Sequence, residues 1–340
     1  MILTADLHLT DNAADEYRWQ CFSEMHKLLD DYPGMSVVIA GDLCDRKDRH
    51  PAALVNRIVS ALQGLAARSC GVNILKGNHD HPLVGDPFWR FLHHIEGVYW
   101  YDVPSLMAGD NDVCILPHSS NPARDWKKIV FTDYKCVIMH QPSNGGRADS
   151  GFILDKDDHL PPLPRGPVYY SGDLHTPQKV GQIRYIGAPH IVRFGDVHET
   201  RMLVLGDGYK IAHKRIIRNV QKWVIDTRVV DGKLDLDPLT NAEMQADDRA
   251  HVRVHITPND INAWHHYRGA LTELLRSFDI TAERIEAIVE TGNVAIDGAA
   301  AQHYESPDEV LGAFVRTNNL DDTMASSGMR FLRTAQEEKK

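Results

Sequence analysis

Ser36-Val37-Val38-Ile39-Ala40-Gly41-Asp42-Leu43-Cys44-Asp45-Arg46 joins a β-branched, apolar run to a compact polar cluster. Such a run predicts a buried strand that ends near Gly41. The same arrangement recurs in four more clusters, each after a short apolar run: Ala5-Asp6-Leu7-His8, Gly77-Asn78-His79-Asp80-His81, Met139-His140-Gln141 and Gly172-Asp173-Leu174-His175. Because the carboxyl ends of strands in one sheet lie along one edge, we expect the five clusters to converge on a single site.

The segments between the first three runs carry apolar residues at helical spacing. They span Tyr17 to Leu29 and Pro51 to Ala67, so strands and helices alternate, which predicts parallel pairing and an α/β fold. Residues 142–167 predict either a functional loop beside the site or a solvated connector. Later runs at 184–187, 201–205 and 222–225 predict strands of a second sheet.

The C-terminal third of the chain has a different pattern. Residues 226–248 are polar and predict a linker, whereas 251–256, 259–278 and 284–290 predict a strand, an amphipathic helix and another strand. We therefore expect three parts: a first domain at 1–225, a linker with a small α/β capping domain at 226–300, and a C-terminal segment of short helices at 301–340.

Composition narrows the class of protein. With 37 Lys+Arg against 47 Asp+Glu, the net charge of -10 argues against binding nucleic acid through global charge, so any such site must be a local basic patch. Five cysteines without a CxxC spacing predict reduced thiols in a cytosolic protein. No apolar stretch approaches the roughly 18–20 residues of a membrane span. The first residues lack a basic region and predict a mature strand instead of a signal peptide.

The clusters offer oxygen and nitrogen ligands for metal ions. Asp6 and His8 are two apart, so on an extended chain their side chains point the same way, and the carboxylate of Asp42 has two oxygens that can bridge two ions. Further ligands are Asn78, His140 and His175. This mixture suits Mn²⁺, Fe²⁺, Zn²⁺ or Mg²⁺, with the imidazoles disfavouring Mg²⁺. Two ions roughly 3.5–4 Å apart support in-line displacement at phosphorus.

The ordered set of motifs resembles the calcineurin-like metallophosphoesterase superfamily. The matching elements are Asp-x-His, Gly-Asp-x-x-Asp-Arg, Gly-Asn-His-Asp, a lone His and Gly-x-x-His. The flanking stretches 171–178, 184–189 and 194–196 resemble the SbcD-type DNA repair exonucleases, including their phage-encoded relatives that serve as recombination endonuclease subunits. The resemblance covers about residues 1–225 and implies a four-layer αββα sandwich, followed by a small α/β capping domain and a helical C-terminal tail.

The resemblance also implies a role for each motif residue. It assigns the first metal to Asp6, His8, Asp42 and His175, and the second to Asp42, Asn78, His140 and the residue at position 173. His79 would protonate the leaving 3′ oxygen, and Asp45 and Arg46 would support the site. The family has His where this chain has Asp173. We expect Asp173 to ligate and to shift the preference toward Mn²⁺ or Mg²⁺; the alternative is that Asp173 is no ligand and the second site is weak.

The implied activity is that of a two-metal DNA phosphodiesterase, a 3′–5′ exonuclease with single-strand endonuclease activity in DNA repair, recombination or phage DNA processing. The implied cofactors are two divalent ions, Mn²⁺ first. The implied partners are DNA, a second copy of the chain, and an SbcC-like coiled-coil ATPase docked on the C-terminal segment, all in the cytoplasm, that of the host for a phage protein. Two alternatives stay open: a small-molecule or phosphoprotein metallophosphatase, and a non-catalytic recombination scaffold.

Overall fold

The computed structural model describes residues 1–81, 86–148, 151–155, 160–218, 220–257 and 261–289. The predicted C-terminal segment, 301–340, and the last part of the predicted capping domain, 290–300, lie outside these residues. In chain order the described strands are β1 (Ile2–Thr4), β2 (Val37–Ala40), β3 (Val72–Leu75), β4 (Val98–Tyr101), β5 (Ser105–Met107), β6 (Asp110–Leu116), β7 (Cys136–His140), β8 (Val168–Gly172), β9 (Gln178–Val180), β10 (Ile183–Tyr185), β11 (Arg201–Leu205), β12 (Ile211–Ile216), β13 (Lys222–Val230), β14 (Lys233–Leu234), β15 (Arg249–Ile256) and β16 (Thr281–Val289).

Helices connect several of these strands. The α-helices are α1 (Gln20–Asp31), α2 (Ala52–Ala66), α3 (Pro122–Asp125), α4 (Asp237–Thr240) and α5 (Trp264–Ser277). Short 3-10 helices lie at Ala13–Trp19, Phe88–His94, Phe131–Asp133, Asp207–Tyr209 and Ile261–Ala263. The two predicted crossover helices are confirmed, although the first begins as a 3-10 helix before α1.

Two six-stranded sheets carry the strands that precede the polar clusters. The first has the order β12-β11-β1-β2-β3-β4, and β1 to β4 pair in parallel. The second has the order β5-β6-β7-β8-β10-β9, with β6, β7, β8 and β10 parallel. The strand predicted for the second sheet at 201–205 lies instead in the first, because β11 returns antiparallel to β1.

Side-chain alternation along the strands builds the layers. In β1, Ile2 packs with the residues of α1 and α2, whereas Leu3 packs with residues of the second sheet. In β7, Ile138 packs toward the first sheet and Met139 packs on the opposite face with Trp126. The outer layer on that face holds α3 and the 3-10 turn Phe131–Asp133. The predicted α/β sandwich of two sheets between helical layers is confirmed.

A third, four-stranded sheet has the order β14-β13-β15-β16. Its strands β13, β15 and β16 are parallel, and α5 packs on them through Leu271 and Leu275. The prediction that 222–225 belongs to the second sheet is wrong, because β13 runs on to Val230 and pairs with β15. The predicted linker therefore begins as a strand. Buried and exposed residues alternate along this strand, and the polar residues on its exposed face give it the composition of a linker.

The cysteines and the helices can be compared with the predictions made from composition. All five cysteines are free thiols, four of them buried. Among the described residues, none of the helices combines the length and apolar character that crossing a bilayer requires.

Candidate metal centre

The five polar clusters converge at the carboxyl ends of β1, β2, β3, β7 and β8. Their side chains form three overlapping groups whose candidate ligand atoms lie within 4.8 Å of one another. The groups are Asp6, His8 and His175; His8, Asp42 and His79; and Asp6, Asp42 and His140. Residues separated by more than 130 positions in the sequence thus meet at one edge of the two sheets, as predicted from the strand ends.

The ionisable side chains of this site are withdrawn from water. Asp6 and His140 are fully buried, and His8, Asp42 and His175 are nearly so. Oδ2 of Asp6 is buried without a hydrogen-bond partner in the described structure. Burial raises the pKa of Asp6 to about 7. A carboxylate oxygen this enclosed is costly unless a cation or donor satisfies it, so the side chain fits a metal ligand.

Four residues of the polar clusters have backbone angles that non-glycine residues seldom adopt. The φ angles are 57° at Asp6, 40° at His8, 53° at Asp42 and 83° at Asp173. The prediction that Asp6 and His8 point together because the chain is extended is therefore wrong in its reason, although the two side chains do meet. Such backbone costs roughly 1–3 kcal/mol per residue and is concentrated at functional sites.

His8 and His175 face each other across the first group. Their Nε2 atoms are 3.1 Å apart, and His8 Nε2 is 3.5 Å from Asp42 Oδ2. Burial lowers the pKa of His8 to about 4, despite the nearby carboxylates of Asp45 and Asp42. His8 is therefore neutral at pH 7 and offers a nitrogen lone pair, the form in which imidazole binds metals.

His140, on β7, is oriented by β2 of the other six-stranded sheet. Its Nδ1–H donates to the carbonyl of Ala40 at 2.8 Å, so Nε2 faces Asn78 Oδ1 at 3.3 Å. The same Nε2 lies 3.5 Å from Asp42 Oδ1 and 3.6 Å from Asp173 Oδ1. A backbone carbonyl that fixes one ring nitrogen and leaves the other for the site is the usual arrangement around a metal-binding histidine.

The electrostatic surroundings of His140 also fit a metal site. Burial opposes the charged imidazolium, but the carboxylates of Asp42, Asp6 and Asp173 outweigh it and raise the pKa of His140 well above its usual value. The three carboxylates thus favour a positive charge at this position. A divalent cation would satisfy the same carboxylates more completely.

Asp42 lies between the two histidine sets. Its Oδ2 faces His8, its Oδ1 faces His140, and Oδ1 also accepts a hydrogen bond from the backbone N–H of His79 at 2.8 Å. Asp42, like Asp6 and His8, is a member of two of the three groups.

His79 lies beside this bridge. Its Nδ1–H donates to the backbone carbonyl of Asp45 at 2.6 Å, and its ring centroid is 4.8 Å from that of His8. The Asp45 carboxylate is 3.4 Å from His8 Nδ1, and this contact lowers the pKa of Asp45 to about 2. Asp45 therefore contacts both histidines, as its predicted supporting role requires. Arg46 is exposed on the same loop.

Two glycines are required by the close packing of the clusters. A Cβ on Gly41, whose φ is 90°, would lie 2.1 Å from His140 Nδ1. A Cβ on Gly77 would lie 2.0 Å from Asp42 Oδ1. Only a hydrogen leaves room for the ligands at either position, which explains the Gly-Asp and Gly-Asn pairs of the sequence.

Some residues that shape the site were not assigned a role from the sequence. Asp80 is fully buried, and its two oxygens accept hydrogen bonds from Leu43 N at 3.0 Å and Gly77 N at 2.8 Å, so it joins the loops after β2 and β3. His190 is also buried and its Nε2–H donates to Leu7 O at 2.8 Å. Asp80 is adjacent to the Gly-Asn-His motif, but nothing in the sequence separates His190 from the other 18 histidines.

The arrangement suits chemistry on a phosphoester. A set of buried carboxylates and imidazoles could hold divalent ions, and His79 presents a ring nitrogen beside them. Deep burial of the carboxylates would be unfavourable without a cation, so a hydrolytic centre without metal does not fit these residues.

A comparison with protein families agrees with this chemistry. The family model described as calcineurin-like phosphoesterase matches residues 1–200. Among solved structures, the chain is similar to one titled "Crystal structure of Pseudomonas putida nuclease MPE", with 13% identity and a TM-score of 0.30 over 64% of this chain and 78% of that chain. No curated protein matches the sequence. Since the family model covers more than half of the 340 residues, the chain belongs to the calcineurin-like phosphoesterases, which are metal-dependent hydrolases.

Proposed function

We propose that this protein is a two-metal phosphodiesterase that cleaves DNA, as a 3′–5′ exonuclease with endonuclease activity on single strands. One observation carries the proposal: the two carboxylate oxygens of Asp42 face different histidines, Oδ2 facing His8 and Oδ1 facing His140, each at 3.5 Å, and His79 lies next to this carboxylate. Two ions joined by a bridging carboxylate suit a phosphodiester, whose attacking and leaving oxygens both need stabilisation.

The proposed ligands divide into two sets. The first comprises Asp6, His8, Asp42 and His175, and the second comprises Asp42, Asn78, His140 and Asp173. The unpartnered oxygen of Asp6 and the neutral ring of His8 support the first set. The 3.6 Å approach of Asp173 Oδ1 to His140 Nε2 supports a carboxylate in the second. Mixed oxygen and nitrogen ligands favour Mn²⁺, with Mg²⁺, Fe²⁺ and Zn²⁺ as competitors. Bound ions would polarise the phosphate and lower the pKa of water.

His79 is the proposed general acid. Because its Nδ1–H is held by the carbonyl of Asp45, the proton of the charged ring that remains available is on Nε2. Transfer of that proton to the leaving 3′ oxygen would return the ring to the neutral form without moving Nδ1. General acid catalysis of this kind contributes roughly 10²–10⁴-fold to a rate.

A hairpin at the rim supports a polymeric substrate. Gly146 packs on Leu174, between Asp173 and His175, and the hairpin is closed by hydrogen bonds such as Ala148 N to Phe152 O at 2.8 Å. Phe152 is 57% exposed. Exposed aromatic rings and exposed arginines, here Phe152 and Arg147, are the side chains on which nucleobases stack and phosphates bind.

The deciding experiment is Mn²⁺-dependent digestion of labelled single- and double-stranded DNA, with p-nitrophenyl phosphate and bis-p-nitrophenyl phosphate in parallel. We expect cleavage of DNA and of the diester, and a loss of at least about 10²-fold in the His79→Ala variant. His93→Ala, at an exposed histidine of the helix Phe88–His94, is the matched control and should retain full activity. Hydrolysis of the monoester without any cleavage of DNA would establish a phosphatase instead.

We also propose that the protein acts as a homodimer with an SbcC-like coiled-coil ATPase in the cytoplasm. The resemblance of the stretches 171–178, 184–189 and 194–196 supports this assignment. The C-terminal segment, 301–340, is the proposed docking element. A 1–300 truncation should lose the ATPase, measured by co-purification, and should keep its Mn²⁺ affinity. Retained ATPase binding by the truncated chain would contradict the docking assignment.

A further inference from the structure

The backbone of His8 is held by a buried arginine. The carbonyl of His8 accepts a hydrogen bond from Arg18 Nη1, and Nη2 of the same guanidinium donates to Val192 O at 3.1 Å. Arg18 is 4% exposed. Because His8 has a φ of 40°, its conformation costs free energy and persists only where surrounding contacts fix it. Arg18 supplies such a contact.

Arg18 is the end of a buried chain of charges. Asp15 Oδ1 lies 3.2 Å from Arg18 Nη2 and 3.0 Å from Lys222 Nζ, while its Oδ2 accepts a hydrogen bond from Thr10 at 3.2 Å. Lys222 is only 8% exposed, a level of burial that lysine seldom has without a partner. A continuous series of contacts therefore runs from Lys222 through Asp15 and Arg18 to His8.

Lys222 begins β13 and so belongs to the third sheet. The residues on either side of it are fixed by Asp248, which accepts hydrogen bonds from Gln221 N and from Trp223 Nε1, both at 2.9 Å. The main-chain carbonyl of Lys222 accepts from Gly195 N at 2.9 Å. Lys222 is thus rigidly placed by the third sheet while its ammonium reaches into the first part of the fold.

We propose that Arg18 is a positioning residue of the metal centre, and that Lys222 and Asp15 connect it to the third sheet so that this sheet sets the metal affinity at His8. The inference rests on the proposed role of His8 as a ligand. It gives the third sheet a part in metal binding: a partner or nucleic acid that shifts β13 changes the affinity of the first metal.

The test is Mn²⁺ binding by the full chain, measured by calorimetry and by electron paramagnetic resonance of the bound ion. Lys222→Met keeps the side-chain stem but removes the ammonium, and should weaken binding by about 3- to 10-fold, the usual size of coupling through a packed network. Arg18→Lys keeps a charge but cannot bind His8 and Val192 together, so we expect a loss of about 10- to 100-fold and an altered spectrum.

Arg215→Met is the matched control. Arg215 Nε is 2.8 Å from Oε2 of Glu24, a buried carboxylate. After Arg215→Met, Glu24 still has a second cation, Lys27. In the same way, Asp15 still has Arg18 after Lys222→Met. Among the side-chain hydrogen bonds and ion pairs of the described residues, none connects Arg215 or Glu24 to His8, so this variant should bind Mn²⁺ like the wild type. Urea unfolding in EDTA should show that both variants fold and lose similar stability.

The outcomes separate this inference from the proposed function. A wild-type chain that binds no Mn²⁺ would overturn both. If the wild type binds and Lys222→Met binds equally well, the positioning network is refuted while the two-metal proposal stands. Equal losses in Lys222→Met and Arg215→Met would also refute it, because the effect would then follow general stability. If Arg18→Lys fails to fold, Lys222→Met alone decides.

Discussion

Gly41→Ala is the perturbation that tests most directly how the site is built. The new Cβ would lie 2.1 Å from His140 Nδ1, the atom that donates to Ala40 O, so the ring must move and this bond must break. Gly34→Ala is the matched control. Gly34 has a similar φ, 78° against 90°, but a Cβ there would meet no atom within 4 Å. The pair separates backbone strain from displacement of the histidine.

The expected magnitudes follow from these contacts. A left-handed alanine costs about 1–2 kcal/mol, and this cost applies to both variants. Gly41→Ala also leaves the buried Nδ1–H of His140 and the carbonyl of Ala40 unpaired, which costs about 1–3 kcal/mol more. Outer contacts that orient a metal ligand change metal affinity by about 10- to 100-fold. We therefore expect Gly41→Ala to lose about 2–5 kcal/mol of unfolding free energy and at least about tenfold in Mn²⁺ affinity.

Urea unfolding in EDTA gives the first quantity, and titration calorimetry with Mn²⁺ gives the second. Gly34→Ala should lose only the backbone cost and bind Mn²⁺ like the wild type. The reasoning is refuted if the two variants lose equal stability and Gly41→Ala retains wild-type affinity, because His140 would then not need the position seen here.

Three further predictions follow from other contacts. Asp173→His should keep measurable nuclease activity but shift its metal dependence away from Mn²⁺ and Mg²⁺, so an unchanged metal profile would show that Asp173 is no ligand. Asp80→Ala removes the acceptor of two buried N–H groups and should cost about 2–4 kcal/mol in urea unfolding, with Asp80→Asn costing less; equal costs would contradict the pairing. Burial lowers the pKa of His190 well below 6.5, so below about pH 6.5 only the unfolded chain binds that proton and stability falls. His190→Gln should therefore lose less stability than the wild type between pH 7 and pH 5 in EDTA; an unchanged slope would exclude His190 as a cause.

The sandwich and the meeting point of the clusters could be predicted because the signals are local. Each cluster directly follows an apolar run, and strands of one sheet end along one edge. Alternation of apolar and polar residues located β15, and the apolar residues Ile285, Ile288 and Val289 located β16, each within a few residues of its observed bounds. β13 was misplaced because Asp226 and Arg228, which point to its exposed face, resemble the polar composition of a linker.

The backbone of the site could not be predicted because its cause is not local. The sequence Asp-Leu-His does not indicate a left-handed conformation at Asp6 and His8, because these φ angles depend on contacts with residues far along the chain. His190 is 183 positions from Leu7, and its hydrogen bond to that loop depends on the returning segment after β10. Single buried donors of this kind have no sequence signature that distinguishes them from surface histidines.

The same contacts explain how the strain in the first loop is tolerated. The N–H groups of Asp6 and His8 donate to Gly41 O and Asp42 O, at 3.0 and 2.9 Å, so β2 fixes one side of the loop. The carbonyls of Leu7 and His8 accept from His190 and Arg18, so later segments fix the other side. Since each hydrogen bond contributes about 0.5–1.5 kcal/mol, four of them offset two strained residues. Three of these four contacts, from Gly41, His190 and Arg18, therefore come from residues that have no place in the proposed metal coordination.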